Sequence, residues 1–448
     1  MGTTERRLRS WSREARWNFL TFGGDIAFFY VGLSVASIYT VTPLFASHLG
    51  ADNTVIGLLP AIRALGFYAP QLLVAAYTER RRHVKPLLLL LTIGERAPSL
   101  IVALATFALL TTHPSALLGL LLLMTLIPAL SSGLTYPPWY DLITRAMPAR
   151  WLGRFLGFWS ALGGGLGAIG AMIGAAMIAA FPFPTNFALC YLMAFGAYVV
   201  SFVLLSLGRE PERNLSAMAP AQEHTRSSNW LRGLIAQGRG YVALLRDDAA
   251  FRRFLIVNAL AGSATMGSAL YAVAASRAGG LSDAEVGIEG VVLTGAMTVG
   301  NLVWGFIGDH VGHRMSLVWG AVCAGGAAVL AFGAHGVWMF GVVFLLLGLS
   351  LAASQLSQMT ATMQFSPVAR RPTYIALAGV AYAPFAVGAP LLGGRIADHW
   401  GYGAVFGVSA ALAWFAALAY QFWVKDPRRP MEDAPGPADA TSEPAAMA

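Results

Sequence analysis

The chain has 448 residues, of which 56% are hydrophobic and 12% are charged, and its mean hydropathy is +0.61. Soluble domains carry about 45–50% apolar and about 25% charged residues, so this composition excludes an ordinary soluble protein and predicts an integral membrane protein. The net charge of +8 does not indicate nucleic-acid binding, because the basic residues form short clusters between apolar runs.

Twelve apolar windows follow one another along the chain, each close to or above the roughly 20 residues that cross a bilayer. Their approximate limits are 19–45, 55–77, 86–110, 116–137, 155–180, 187–208, 253–276, 284–307, 315–333, 337–363, 373–396 and 402–424. The sequence therefore predicts an all-α integral membrane protein with two six-helix bundles, at 19–208 and 253–424. The remaining segments are predicted to be a cytoplasmic N-terminal tail (1–18), a cytoplasmic linker (209–252) and a disordered cytoplasmic tail (425–448).

The distribution of basic residues predicts the orientation of the chain in the membrane. Of the 30 lysines and arginines, 26 lie in the two tails, the linker or the even-numbered loops, and the odd-numbered loops hold none. Positive charge is enriched in the cytoplasmic loops of membrane proteins. We therefore expect both termini to be cytoplasmic, in a multi-pass protein of the plasma or inner membrane.

A short polar segment between the eighth and ninth windows carries the most specific motif. It reads Gly305-Phe-Ile-Gly-Asp309-His-Val-Gly312-His-Arg314. The glycines allow close approach or a positive φ, Asp309 suits a helix N-terminus, and Arg314 suits a carboxylate or a lipid phosphate. This segment resembles the loop between helices 8 and 9 of the major facilitator superfamily of secondary transporters. The layout of six windows, a linker and six windows is also similar to that superfamily.

The resemblance implies two pseudo-symmetric six-helix bundles that close alternately around one central site. It also implies a transporter rather than an enzyme, with no cofactor and no metal. The basic segment Arg80 to Lys85 follows window 2 as the motif follows window 8, but Glu79 stands where the family has Asp. We assign Glu79 and Arg80 to the same gating motif as its degraded copy in the first half.

The loop between windows 4 and 5 also resembles the family. We assign Asp141, Arg145 and Arg154 to an inner gate that pairs with the loop between windows 2 and 3. The alternative is that these arginines serve only as topological charge.

Ionisable side chains inside the windows are candidates for function, because inserting a charge at the bilayer centre costs about 2.5–3.5 kcal/mol. Asp25 and Glu95 are candidates for ion coupling, since a carboxylate partly removed from water can exchange a proton as a cavity opens. For Asp25 the alternative is a fixed ion pair or a cap. Arg63 either contacts an anionic substrate or pairs with Asp25 or Glu95. Arg96 points about 100° away from Glu95 on a helix, so we expect that the two do not face one partner.

The resemblance also predicts residues that line a central cavity. They are Tyr30, Tyr39, Tyr136, Asn258, Tyr271, Gln355, Gln358 and Tyr382. Arg63 is assigned to the same cavity because of its charge inside an apolar window. Methionines in the same windows suit varied apolar ligands. We therefore expect a monomeric, proton-coupled transporter in the lipid bilayer that exports an amphipathic small molecule. The alternatives are uptake of a nutrient or organic anion, facilitated diffusion and, in other classes, a non-transporting receptor or a membrane enzyme.

Overall fold

The computed structural model describes residues 13–70, 83–110, 113–211, 244–367 and 371–424. All the regular elements in these ranges are helices. The predicted C-terminal tail, most of the predicted linker, and the residues Glu79 and Arg80 lie outside the described residues.

The described part of the first half contains seven helices. They are α1 (Arg13–Val35), α2 (Val41–His48), α3 (Asn53–Tyr68), α4 (Lys85–Leu109), α5 (Pro114–Ala146), α6 (Ala149–Ala180) and α7 (Thr185–Leu207). The first predicted window is broken, because α1 and α2 share it. Asp52 begins α3 by accepting a hydrogen bond from the Val55 amide at 2.7 Å, as N-cap residues do. The later part of the second window lies outside the described residues.

The second half repeats this pattern. Its described helices are α8 (Ala249–Ser263), a 3₁₀ turn (Ala264–Gly267), α9 (Leu270–Arg277), α10 (Asp283–His310), α11 (His313–Phe332), α12 (Gly336–Phe365) and α13 (Arg371–Phe422). The seventh window is broken like the first, at the 3₁₀ turn. Gly401 interrupts α13 with φ 80° and ψ 172°, a conformation that essentially only glycine adopts. This residue separates the eleventh predicted window from the twelfth.

Ten described helical segments are long and apolar enough to cross a membrane. One of them runs from Thr373 to Phe422 and includes the reversal at Gly401. The prediction of an all-α, multi-pass membrane fold is therefore confirmed.

The two halves meet along two pairs of helices, α3 with α13 and α6 with α10. Small residues bring the backbones together, as is usual between membrane helices. A Cβ atom on Gly57 of α3 would collide with the carbonyl oxygen of Pro390 on α13, and one on Gly394 would collide with the carbonyl oxygen of Asn53. The halves can therefore approach this closely only because these two positions have no side chain.

In each half, a cation at the start of the third predicted span caps the end of the last helix. Lys85 donates from Nζ to the carbonyl oxygens of Ser206 at 2.5 Å and Gly208 at 2.6 Å, where α7 ends. Arg314 donates from Nη1 to the carbonyl oxygens of Gln421 at 3.1 Å and Val424 at 3.0 Å, where α13 ends. Cations satisfy the last carbonyls of a helix and its dipole. Lys85 and Arg314, which come from the two basic segments that correspond in the sequence, thus make equivalent contacts in the two halves.

The bundle has two ends, which we call the near end and the far end. The near end holds the start of α1 and the start of α4. The far end holds α2, the start of α3 and the reversal at Gly401.

Candidate functional site

A buried network of charges joins helices of the first half. Arg96 of α4 donates from Nη2 to Asp25 Oδ1 of α1 at 3.1 Å and to Ser201 Oγ of α7 at 2.9 Å. It donates from Nη1 to Glu95 Oε2 at 3.0 Å and to the Thr92 carbonyl at 3.3 Å. A single guanidinium therefore contacts both carboxylates.

Neutral donors complete the coordination of the two carboxylates. Ser201 Oγ lies 2.6 Å from Asp25 Oδ1, and Trp139 of α5 donates from Nε1 to Asp25 Oδ2 at 3.3 Å. Thr135 of α5 donates to Glu95 Oε1 at 2.5 Å. Asp25 is 3% exposed and Glu95 is 8% exposed. Both groups are thus held by specific contacts away from water.

The network identifies the partners that the sequence analysis left open. Glu95 and Arg96 pair with each other, and their remaining partners differ, since Glu95 accepts from Thr135 whereas Arg96 donates to Asp25 and Ser201. The partner of Asp25 and Glu95 is Arg96, and no contact joins them to Arg63 among the described residues. Trp139 and Ser201 escaped the sequence analysis, since such residues are common in apolar windows and lie 114 and 176 positions from Asp25.

Arg63 of α3 lies beside tyrosines that both halves contribute. Its side chain is exposed and forms no ion pair with a described residue. It interacts electrostatically with the hydroxyl groups of Tyr30 and Tyr68. Tyr68 contacts the ring of Tyr382 of α13 edge-on, with 6.0 Å between centroids. Through Tyr68, Arg63 therefore lies near the contact between the two halves.

The residues around Arg63 form what we call the tyrosine cluster. It consists of Tyr30, Tyr39, Tyr68, Tyr136 and Tyr382, each of which has its hydroxyl group near that of at least one other member. Gln358 of α12 forms a hydrogen bond with Tyr382, and Gln355 is exposed one turn away. Tyr30, Arg63, Tyr136, Gln358 and Tyr382, all predicted as lining residues, therefore lie together, and Tyr68 joins them without having been predicted.

Two other predicted lining residues lie elsewhere. Asn258 is buried and accepts a hydrogen bond from the Tyr420 hydroxyl at 3.1 Å. Tyr271 is buried against Phe406, with ring centroids 4.8 Å apart and planes inclined by 2°. Both side chains pack against α13 inside the second half, so the structure does not bring them to the tyrosine cluster.

Polar contacts join the two halves at the far end, in what we call the far-end clasp. Asp398 of α13 accepts hydrogen bonds from the backbone amides of Asn53 and Thr54, both at 2.9 Å, and from the Thr54 hydroxyl at 2.6 Å. The carboxylate of one half thus lies at the positive N-terminus of α3 in the other half. Tyr402 donates its hydroxyl to Asn53 Oδ1 at 2.8 Å.

Two further contacts belong to the clasp. His48 Nε2 of α2 lies 2.7 Å from Asp283 Oδ2 at the start of α10. Arg277 of α9 donates from Nη2 to the carbonyl oxygen of Ala51 at 3.0 Å. The far end is therefore closed by contacts from three segments of the second half.

The predicted gating residues occupy the near end. Arg145 forms ion pairs with Asp141 and with Glu210, both at 2.9 Å. Glu210 also accepts hydrogen bonds from the amides of Val84 at 2.7 Å and Lys85 at 3.1 Å, so it caps the start of α4. These contacts all link elements of the first half.

Arg154 stands apart from these ion pairs. Its guanidinium lies 4.9 Å from the ring centroid of Trp151 on the same helix.

The motif between α10 and α11 forms the predicted tight turn. Gly312 has φ 121°, and Arg314 follows as the cap already described. Packing requires Gly308 in this conformation, because a Cβ atom there would collide with the His313 ring. Gly305 would meet only Leu356 at an ordinary 3.7 Å. Asp309 lies at the end of α10, within the same turn.

Comparisons with known proteins agree with this architecture. The sequence matches the Major Facilitator Superfamily over residues 25–279 and 254–446. No curated protein matches the sequence. Similar solved structures include a mutant of the nucleoside transporter NupG, which is 13% identical with a TM-score of 0.66 over 91% of this chain and 100% of that chain.

Two other structures illustrate the breadth of the likeness. A bacterial homologue of the human lysosomal transporter Spinster is 16% identical, with a TM-score of 0.65 over 93% of this chain and 95% of that chain. A D-xylose-proton symporter is 14% identical, with a TM-score of 0.62 over 92% and 97%. These identities show a shared fold, and the family match extends over most of the sequence. The chain therefore belongs to the Major Facilitator Superfamily and is a multi-pass integral membrane transporter.

Proposed function

We propose that the protein is a secondary active transporter of an amphipathic organic anion that carries an aromatic ring. The observation that carries this proposal is Arg63, a cation without an acidic partner among the described residues, beside the tyrosine cluster. A guanidinium binds carboxylate or phosphate in a bidentate manner and stacks on rings, and tyrosine offers an apolar face with a polar edge. An aromatic anion satisfies both kinds of contact.

The position of the cluster supports alternating access. Tyr30, Tyr68 and Tyr136 come from the first half and Tyr382 from the second, so a ligand held among them bridges the halves. The far-end clasp closes one end of this site. We propose that the clasp lies on the external side, that both termini are cytoplasmic, and that transport proceeds as the clasp opens and the near end closes.

The first test is a thermal-shift screen of the purified protein against aromatic anions, hydrophobic cations, sugars, amino acids and lipids. A ligand at about 100 times its Kd adds roughly 2.7 kcal/mol to stability. Aromatic anions are expected to stabilise the protein. Hits confined to sugars or cations would contradict the proposed substrate class, and a compound that is chemically changed on incubation would indicate an enzyme.

Replacing Arg63 identifies the anion contact. Arg63→Ala is expected to weaken binding of the best anionic hit roughly 10- to 100-fold, as hydrogen bonds to charged groups contribute about 1.5–3 kcal/mol. The measurement is the Kd from titrated thermal shifts. Arg395→Ala is the matched control, because it removes the same charge from an exposed arginine of α13 at the far end. Equal Kd values for the two variants would exclude Arg63 from the site.

We further propose that transport is coupled to protons and directed outwards, through Asp25 and Glu95. The support is the charge of the buried network, which sets two carboxylates against one guanidinium. An uncompensated buried negative charge is costly, so the network favours binding one proton.

Asp25→Asn tests this coupling. The variant is expected to lose accumulation driven by a pH gradient in proteoliposomes while it keeps exchange of labelled ligand for unlabelled ligand. Glu95→Gln is the parallel variant, since Glu95 shares the same guanidinium. Undiminished pH-driven flux in both would remove the network from the coupling mechanism, and the sidedness of flux decides between export and uptake.

A further inference from the structure

The second half contains a buried carboxyl group that the sequence analysis did not single out. Glu289 lies on α10, six residues and about 9 Å along the axis from the start of the helix at Asp283. Its side chain is 0% exposed. Neither carboxyl oxygen has a hydrogen-bond partner within the described residues. It differs in this respect from Asp25 and Glu95, whose oxygens all have donors.

The side chain of Glu289 is directed at α12. An ideal Cβ atom on Gly341 would lie at ordinary contact distances of 3.6 Å and 3.9 Å from its two oxygens, so the carboxyl group lies next to this glycine. Helix α12 contains no acidic or basic residue along its entire length. The carboxyl group therefore faces an apolar helix with no counter-charge.

Within the described parts of the chain, the other elements around α10 offer no free cation either. The charged residues of α6 and α11 lie at their near-end starts. On the far end, His48 of α2 is paired with Asp283, and Arg277 of α9 donates to the Ala51 carbonyl. His335, just before α12, is exposed.

The nearest acidic group, one turn before Glu289, is Glu285. It forms a capping box with Ser282, accepting from the Ser282 amide at 2.7 Å and lying 2.8 Å from its hydroxyl. Its negative charge further disfavours an ionised Glu289.

An isolated carboxylate out of water takes up a proton rather than remain charged. The turn of α10 that carries Glu289 also forms part of the contact between the halves. A Cβ atom on Gly287 would lie 3.1 Å from the Ala175 Cα of α6, and one on Gly290 would lie 2.9 Å from Thr40 Oγ1. Separation of the halves at the far end would remove these neighbours and let water reach the side of the turn that faces the first half.

We propose that Glu289 is a second proton-binding site, protonated while the far end is closed and deprotonated when it opens. Proton binding at Glu289 then favours the closed far end, independently of Asp25 and Glu95. This assignment rests on the alternating-access function proposed above.

The test measures the width of the far end with spin labels and needs no substrate. Ser47→Cys on α2 and Ala278→Cys after α9 place one label on each half, in a background in which Cys190 and Cys323 are replaced by alanine. With Glu289 intact in this background, the distance between the two labels is expected to be short at acidic pH and to lengthen as the pH rises. Glu289→Gln, which mimics the protonated carboxyl group, is expected to stay short at every pH. The matched control, Glu285→Gln, is expected to follow the wild type.

A Glu289→Gln variant that titrates like the wild type would overturn the proposal, as would closure by added Na⁺ at constant alkaline pH. If the distance does not respond to pH but lengthens in Gly57→Ala, the Glu289 site fails and alternating access stands. If neither pH nor Gly57→Ala changes the distance, both proposals fail. Infrared spectroscopy gives a second readout, since the C=O band of a protonated carboxylic acid is expected to be lost in Glu289→Gln and kept in Glu285→Gln.

Discussion

Arg96→Leu is expected to destabilise the purified protein by about 3–5 kcal/mol, the usual cost of removing one partner from a buried ion pair. The change leaves Asp25 and Glu95 without their shared cation, inside a part of the first half where each is less than a tenth exposed. The measurement is the fraction that remains monodisperse after heating in detergent, compared across a temperature series.

Two controls separate charge from packing. The triple variant Arg96→Leu, Asp25→Asn and Glu95→Gln removes the whole set of charges and is expected to recover most of the lost stability, because neutral groups tolerate burial better. Arg63→Leu removes an exposed arginine and is expected to have a small effect. If Arg96→Leu were as stable as Arg63→Leu, the network would not contribute to the fold.

Gly57→Ala is expected to hold the far end open. The added Cβ atom meets the backbone carbonyl of Pro390, which cannot rotate away as a side chain could. Overpacking of this kind costs about 1–3 kcal/mol, which shifts an equilibrium between two states roughly 5- to 150-fold. The expected results are a longer distance between spin labels at positions 47 and 278, and a loss of transport in the same range.

The matched control for this variant lies on α13, the helix that Gly57 contacts. A Cβ atom on Gly388 meets nothing within 4 Å, so Gly388→Ala is expected to leave both the label distance and transport unchanged. Equal effects of the two substitutions would show that glycine at position 57 contributes flexibility of the helix and not close approach.

The fold could be predicted because its main determinants are local in sequence. Apolar windows, basic loops and the Gly305 to Arg314 segment each require only a short stretch of chain to recognise. The breaks inside the first and seventh windows could not be predicted in this way, since hydropathy does not report where a helix stops hydrogen bonding. The residues from Ala36 to Thr40 and the 3₁₀ turn at Ala264–Gly267 are as apolar or as small as their neighbours.

The candidate sites were predicted less completely, for a related reason. Asp25 and Arg63 are conspicuous because charges are rare in apolar windows, but their partners lie on other helices. Glu289 was missed because it stands near the polar start of its window, beside Asp283 and Glu285, where a carboxylate is expected to be in water. Its burial depends on α12, which no local pattern reveals.

The far-end clasp has a consequence for biosynthesis. Asn53 and Asp398 are separated by 345 positions, so at about 5–20 residues per second the ribosome needs roughly 20–70 s to supply the second after the first. The first half is complete long before this, with its own buried network and its cap at Lys85. Until then the amides of Asn53 and Thr54 at the start of α3 lack the carboxylate of Asp398, and a nascent chain that stalls before α13 leaves them without this partner.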